Sequence, residues 1–188
     1  MVLLPGIKKG IGYFERLLKE VKEHVRDGKG VLPKGEEQFR IMFEGIPMWY
    51  KIKYFHQLAN FGAVVTYEPY TYSFGPRKTL GLSFEETVRE LAKMMIHFPY
   101  NYNLETRIDY FKQVIKDYSI TGMILHNNFS CRPSATGMLD LKSVIQKDCN
   151  IPVLILDCDM NDPRAFSEGP MQNRMEGFIE LLEQSKTK

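Results

Sequence analysis

The sequence predicts an α/β fold whose sheet is four-stranded and mainly parallel, and three observations carry that expectation. Four short apolar segments recur along the chain, at residues 39–43, 63–67, 122–125 and 152–156. Stretches with the apolar spacing of helices separate them. Each connection is also long enough to bring the chain back to the same end of a sheet: a parallel pair needs a crossover of about a dozen residues or more, and residues 44–62 supply one. Helices then cover both faces of the sheet.

Taken in order, Tyr13, Phe14, Leu17, Leu18, Val21 and Val25 fall on one face of a helix over residues 11–25, with Lys and Glu on the rest, and residues 27–35 end it. The first strand, 39–43, is closed by Gly45-Ile46-Pro47, and residues 49–60 read as a helix leading to the second strand. Residues 68–82 form a long aromatic loop with Pro69, Tyr70, Tyr72, Gly75 and Pro76, of a kind that compact domains keep for lids and binding. Ser83 with Glu86 three residues later is a capping box, and the helix it opens runs to about His97. After a break at 99–103, Leu104, Ile108, Phe111, Val114, Ile115 and Tyr118 mark an amphipathic helix, so two helices separate the second and third strands. Helices over 136–148 and 170–184 flank the last strand, and Met171, Met175, Phe178 and Ile179 follow helical core spacing. The strand order expected is 2-1-3-4, flavodoxin-like, in a single lobe over residues 1–188, with 185–188 a loose tail.

Composition narrows the function. With 188 residues, 44% hydrophobic and 26% charged, the chain has the balance of a globular protein. Its 25 Lys plus Arg against 23 Asp plus Glu leave a net charge of +2, without the extended positive field that nucleic-acid binding draws on. No apolar run approaches the roughly 20 residues that span a bilayer. The opening Met1-Val2-Leu3-Leu4 breaks at Pro5-Gly6, too soon for a signal-peptide core. A cytoplasmic protein without nucleic-acid or membrane partners is expected. Three cysteines, Cys131, Cys149 and Cys158, odd in number and not closely spaced, read as reduced thiols. The sequon at Asn128 then carries no glycan.

In open parallel sheets ligands bind outside the carboxyl ends of the strands, which directs attention to the loops at 44–49, 67–80, 126–136 and 157–169. Cys131 lies in the third, beside Arg132 and just ahead of a helix start, a setting that favours a thiolate. Three readings stand: a metal or cluster ligand, a nucleophile with His126 as base, or a half-buried thiol without chemistry. Zinc and iron-sulfur sites need about four ligands. The chain has no Cys-x-x-Cys and no second cysteine near Cys131, so companions must come from another domain or chain. Cys149, at a helix end, and Cys158, between two aspartates, read as bystanders. The run Asp157 to Arg164 either holds a hard cation through its carboxylates or, the reading preferred, pairs with Arg164 and caps helices. Trp49, Tyr67, Tyr70 and Tyr72 either wall an apolar ligand site or cover the sheet edge. Phosphate-loop, dinucleotide and serine-hydrolase glycine patterns are absent.

Several segments together, in their order and spacing, resemble one family. They are Arg40-Ile41-Met42-Phe43-Glu44-Gly45-Ile46-Pro47-Met48-Trp49, Gly62-Ala63-Val64-Val65, His126-Asn127-Asn128-Phe129-Ser130-Cys131, residues 157–164 and residues 166–178. The family is that of benzoyl-CoA reductase and 2-hydroxyglutaryl-CoA dehydratase, the 2-hydroxyacyl-CoA dehydratase D-component family. The resemblance implies an oxygen-sensitive iron-sulfur protein whose subunits have two flavodoxin-like lobes, pair as heterodimers and each bind a 4Fe-4S cluster through three cysteines. It also implies a separate ATP-hydrolysing iron-sulfur activator that injects a low-potential electron. The electron goes to the thioester carbonyl of a 2-hydroxyacyl-CoA, giving a ketyl radical that expels the hydroxyl, or into an aromatic ring. Cys131, in its Ser-Cys-Arg setting, matches the carboxy-terminal cluster cysteine. Family subunits are about twice this long, so the chain resembles the carboxy-terminal lobe, and the remaining ligands would come from the missing amino-terminal lobe or a second subunit. Pro47, Trp49, Tyr70, His126, Asn127, Ser130, Arg132 and Asp159 are expected to line the cleft for a CoA ester or partner. The alternative expectation is a non-catalytic partner or scaffold domain of the same fold without a cluster.

Overall fold

The computed structural model describes residues 8–32, 37–73 and 81–186. The chain divides into two compact units, Met1–Gln38 and Phe39–Lys188. The first holds α1 (Lys8–Arg26), longer by a few residues than the predicted 11–25. It ends at Gly28, whose φ of 64° lets the Lys29 N–H turn back to the carbonyl of His24 at 2.9 Å. Left-handed backbone at a helix end is what glycine supplies at no steric cost.

The second unit contains β1 (Phe39–Glu44), β2 (Ala63–Tyr67), α2 (Pro69–Tyr72), α3 (Phe84–Ile96), α4 (Leu104–Asp117), β3 (Gly122–Asn128), α5 (Arg132–Ala135), α6 (Met138–Cys149), β4 (Val153–Cys158) and α7 (Glu168–Lys186). Its four strands form one sheet in the order 2-1-3-4, parallel at every pairing. The expected fold class and strand order are those observed.

Strands buried on both faces produce two hydrophobic cores. Phe39, Ile41 and Phe43 of β1 point to one side and pack with Ile124, Leu156, the α7 residues Met171, Met175 and Phe178, and the connection after β1. Met42, Met123, Leu125 and Val153 point to the other, against Phe111, Val114 and Ile115 of α4 and Leu141 and Ile145 of α6. The continuous apolar runs thus follow from covering a parallel sheet on both sides. Gly122 opens β3 where a Cβ would stand 2.5 Å from Leu182 and 3.0 Å from Phe178, so α7 can lie close only against a glycine.

Two helix readings change. The helix read over 49–60 is a 3₁₀ helix, Trp49–Phe61, broken at Lys51; its rise of about 2.0 rather than about 1.5 Å per residue gives the crossover a longer reach. The predicted helix over 136–148 starts at Met138, because Gly137 adopts φ 76° and separates α5 from α6. The capping box at Ser83 and Glu86 is present at the start of α3. Of the long aromatic loop, the first turn is α2, while 74–80 lie outside the described residues, as do 187–188 of the predicted tail. No helix among the described residues is long and apolar enough to cross a membrane.

Leu141 is fully buried and Leu139, two residues away on the same helix, is 75% exposed. Truncating Leu141 to Ala is expected to cost about 2–5 kcal/mol, and Leu139→Ala less than about 0.5 kcal/mol. Urea unfolding of the two variants checks the assignment of the core face.

Candidate functional site

At the carboxyl edge of the sheet the ends of β1, β3 and β4 are tied together by hydrogen bonds that the local sequence makes possible. Gly45, at φ 121°, lets the chain leave β1 directly against β3, where a Cβ would lie 2.9 Å from both the Cβ and the carbonyl oxygen of His126. Ile46 then offers its carbonyl to His126 Nδ1. Trp49 N–H donates to Met160 O at 3.0 Å, joining the loops after β1 and β4. Asn128, fully buried, accepts through Oδ1 from the N–H of Ser130 at 3.1 Å and of Met160 at 3.3 Å. Asp159 accepts from the N–H groups of Asn161 and Asp162, both at 2.8 Å, and from the hydroxyl of Ser130. Cys131 lies within this lattice, its N–H donating to Asn128 O at 3.2 Å, and its side chain is partly exposed.

The expected cleft residues divide by accessibility. Trp49, 45% exposed, sits 6.1 Å from the half-buried ring of Tyr70, edge to face. Pro47 and Asn127 are half-buried, Ser130 and Arg132 exposed. Asp159 and His126 are buried. His126, Asn127 and Asn128 belong to β3 and not to the loop after it. Their pairing with Leu156, Asp157 and Cys158 satisfies the backbone of three polar residues and so carries the strand past the apolar run. The His126 ring donates through Nδ1 to the Ile46 carbonyl, and its Nε2 has no hydrogen-bond partner among the described residues. Burial pushes its pKa below the ordinary histidine value, against the opposing pull of the Ile46 carbonyl and of Asp157 and Asp159.

The run from Asp157 takes the bland course. Asp162 grips Arg164 at 2.6 Å, and that bond pulls its carboxyl down to about 2. Asp157 accepts from Asn127 at 2.7 Å and from Arg174 at 2.6 Å. Arg174 also reaches the carbonyl of Ile155 at 3.2 Å. No group of three or more His, Cys, Asp or Glu able to hold a metal ion occurs among the described residues.

Sequence reasoning missed the most buried charges. Glu44 at the end of β1 and Arg107 on α4 meet at 2.7 Å with side-chain exposures of 0% and 4%. Burial pushes the Glu44 carboxyl up to about 7 against the opposing pull of Arg107. Tyr100 stands over the guanidinium, 5.8 Å from ring centroid to Cζ, and burial raises its phenol. A signal was present: Arg107 falls four residues before Phe111 and seven before Val114, inside the apolar stripe of α4, where an arginine requires a partner.

A four-iron four-sulfur cluster takes cysteine thiolates, and the chain offers one accessible thiol at this edge, that of Cys131. Cys149 ends α6 at the opposite edge, its thiol pushed up by burial, and Cys158 is fully buried with Sγ 3.1 Å from Tyr50 Oη. The donor set therefore fits one corner of such a cluster and no more. A groove of about 810 Å³ lies beside β4 between α6 and α7; among the expected cleft residues Asn127 lines it.

A four-stranded parallel sheet in the order 2-1-3-4 with helices around it is the form of a flavodoxin-like α/β lobe. The family model described as 2-hydroxyglutaryl-CoA dehydratase, D-component, matches residues 1–182. The chain belongs to that family. It is 32% identical over 93% of its length to the alpha subunit of (R)-2-hydroxyglutaryl-CoA dehydratase of Acidaminococcus fermentans, covering 35% of that protein. To a benzoyl-CoA reductase polypeptide of Thauera aromatica it is 28% identical over 97% of its length, covering 44%. The (R)-2-hydroxyisocaproyl-CoA dehydratase alpha subunit of Clostridioides difficile is likewise 28% identical over 99% of the chain and 44% of its own length. The chain thus spans roughly two fifths of the curated relatives it matches.

Asn128→Leu removes the acceptor of two loop N–H groups and is expected to cost about 1–3 kcal/mol, read as a lower urea midpoint. Glu44 binds its proton more tightly folded, up to about pH 7, than its ordinary value of 4.5 allows. Its contribution to stability is full below 4.5 and is lost as pH rises towards 7. His126, its pKa lowered, acts in the opposite direction. Wild-type stability measured relative to Glu44→Gln, which leaves His126 in both proteins, is expected to fall between about pH 5 and about pH 7.

Proposed function

We propose that the chain is a lobe of a 2-hydroxyacyl-CoA dehydratase or benzoyl-CoA reductase subunit, in which Cys131 supplies one thiolate to a 4Fe-4S cluster completed by ligands from outside this chain. The observation that supports this reading is the place of Cys131: of the two cysteines at the carboxyl edge of the sheet it is the partly exposed one, Cys158 being buried, and its loop is bonded back to β3 and β4. When bound, the cluster supplies a low-potential electron for reducing a CoA thioester.

The chain's own residues provide the setting. Asn128 and Asp159 order Ser130, just before the thiol, and the loop after β4 through four bonds from backbone N–H groups and one from the Ser130 hydroxyl. Trp49 and Tyr70 offer adjoining aromatic surface suited to the acyl or pantetheine part of a substrate. The buried ring of His126 is bonded to the turn that follows β1. A CoA ester is the substrate class, in keeping with the names of the relatives. The partners in this reading are the amino-terminal lobe or a second subunit and an ATP-hydrolysing iron-sulfur activator, all in the cytoplasm.

Iron and acid-labile sulfide, measured after anaerobic reconstitution of the chain alone and with the polypeptide encoded beside it, test the proposal. Iron is expected with the partner and is expected to drop in Cys131→Ser. Retention of iron and activity in that variant removes Cys131 from the cluster. Partner binding without iron in either preparation instead identifies a scaffold lobe of the same fold.

A further inference from the structure

The helix α5 begins one residue after Cys131 and lasts a single turn. So short a segment does not hold helical form in water by its own hydrogen bonds, and its order must come from outside. Within the turn, Ala135 N–H donates to Cys131 O at 3.1 Å and Thr136 N–H to Arg132 O at 2.9 Å. The carbonyls that follow have no helical donor, since the last C=O groups of a helix point past its end.

Arg107 takes them. Its Nη2 lies 3.1 Å from Ser134 O, and its Nη1 lies 3.4 Å from Pro133 O and 3.5 Å from Thr136 O. The same Nη2 meets Glu44 at 2.7 Å. A strand end and a helix therefore hold the guanidinium, and the guanidinium holds the turn that starts at Cys131. Stability alone does not account for such a pair, because apolar side chains of similar volume commonly serve as well or better in a core. An apolar pair cannot grip three carbonyls at once. The planar fork of arginine, with two N–H donors on each Nη, meets the three carbonyls and the Glu44 carboxylate together; the three donors of lysine on a single nitrogen fall one short.

We infer that Arg107, fixed by Glu44, is the positioning residue of Cys131, setting through the carbonyls of α5 the place of the thiol at the head of that turn. The meaning of this clamp for catalysis rests on the proposed cluster role of Cys131; the clamp itself does not.

The test uses the metal-free full chain and compares iodoacetamide alkylation of Cys131 with that of Cys149, resolved by peptide mass spectrometry. Cys149 lies at the far edge of the sheet and serves as the internal reference. Arg107→Met alone would leave Glu44 uncompensated and confuse geometry with unfolding, so the main variant is Glu44→Gln/Arg107→Met, which removes both charges. Its Cys131-to-Cys149 ratio is expected to rise at least about threefold as the turn loosens. Arg107→Lys keeps the charge for Glu44 but not the fork, and its ratio is expected to rise in the same direction; it decides the matter alone if the double variant does not fold. A ratio within about twofold of wild type in a cooperatively folded variant overturns the inference. The two readings fail separately. Iron retained in Cys131→Ser ends the cluster role and leaves the clamp to the alkylation ratio, whereas iron loss with an unchanged ratio ends the clamp alone.

Discussion

The constraint on which the carboxyl edge depends is the burial of a carboxylate and a guanidinium together. Glu44 and Arg107 are withdrawn from water almost completely, and either alone would be an uncompensated charge in a low-dielectric interior. Their pairing joins elements far apart in sequence: β1 contributes the acid, α4 the base, and the turn after Cys131 the carbonyls that meet the two Nη groups. Because the two cores on either side of the sheet fix β1 and α4 independently, the pair inherits their rigidity and passes it to a segment that has little of its own.

Around this joint the polar groups follow a consistent division. Asn128 and Asp159 satisfy backbone N–H groups that the turns leave open, so loops lie at the edge without helices or strands to order them. Gly45 permits the close passage of β1 over β3, which brings Ile46 within reach of His126. A glutamic acid with a raised pKa and a buried tyrosine then occupy one neighbourhood around Arg107. A low-dielectric setting of this kind strengthens whatever electrostatic contact it admits, and the partly exposed thiol of Cys131 lies at its margin.

Much of this was legible in the sequence because its signals are local. Apolar runs set the strands, their interruption by helical periodicity set a parallel sheet, and Ser83 with Glu86 announced a helix start. The family resemblance selected the same loops that the topology places at one edge. What escaped were features decided at long range. The polar strand His126-Asn127-Asn128 carries no β signal of its own and is a strand only because β4 lies alongside. The segment after β1 reads as a helix, and its sequence does not tell three- from four-residue hydrogen bonding. Arg107 stood in plain view within an apolar stripe, yet its partner lies sixty-three positions away, a distance at which one sequence gives no pairing.

The contact of Arg174 with the end of the sheet has a wider consequence. β4 is a terminal strand in the observed order, and terminal strands present unpaired backbone groups on which a foreign strand can grow. Arg174 lays its cation against one of those groups, the carbonyl of Ile155, and is itself pinned by Asp157. A strand arriving to extend the sheet would have to displace a charged side chain from both contacts. The residue therefore acts as a guard against runaway association through the open edge of a sheet built from apolar strands.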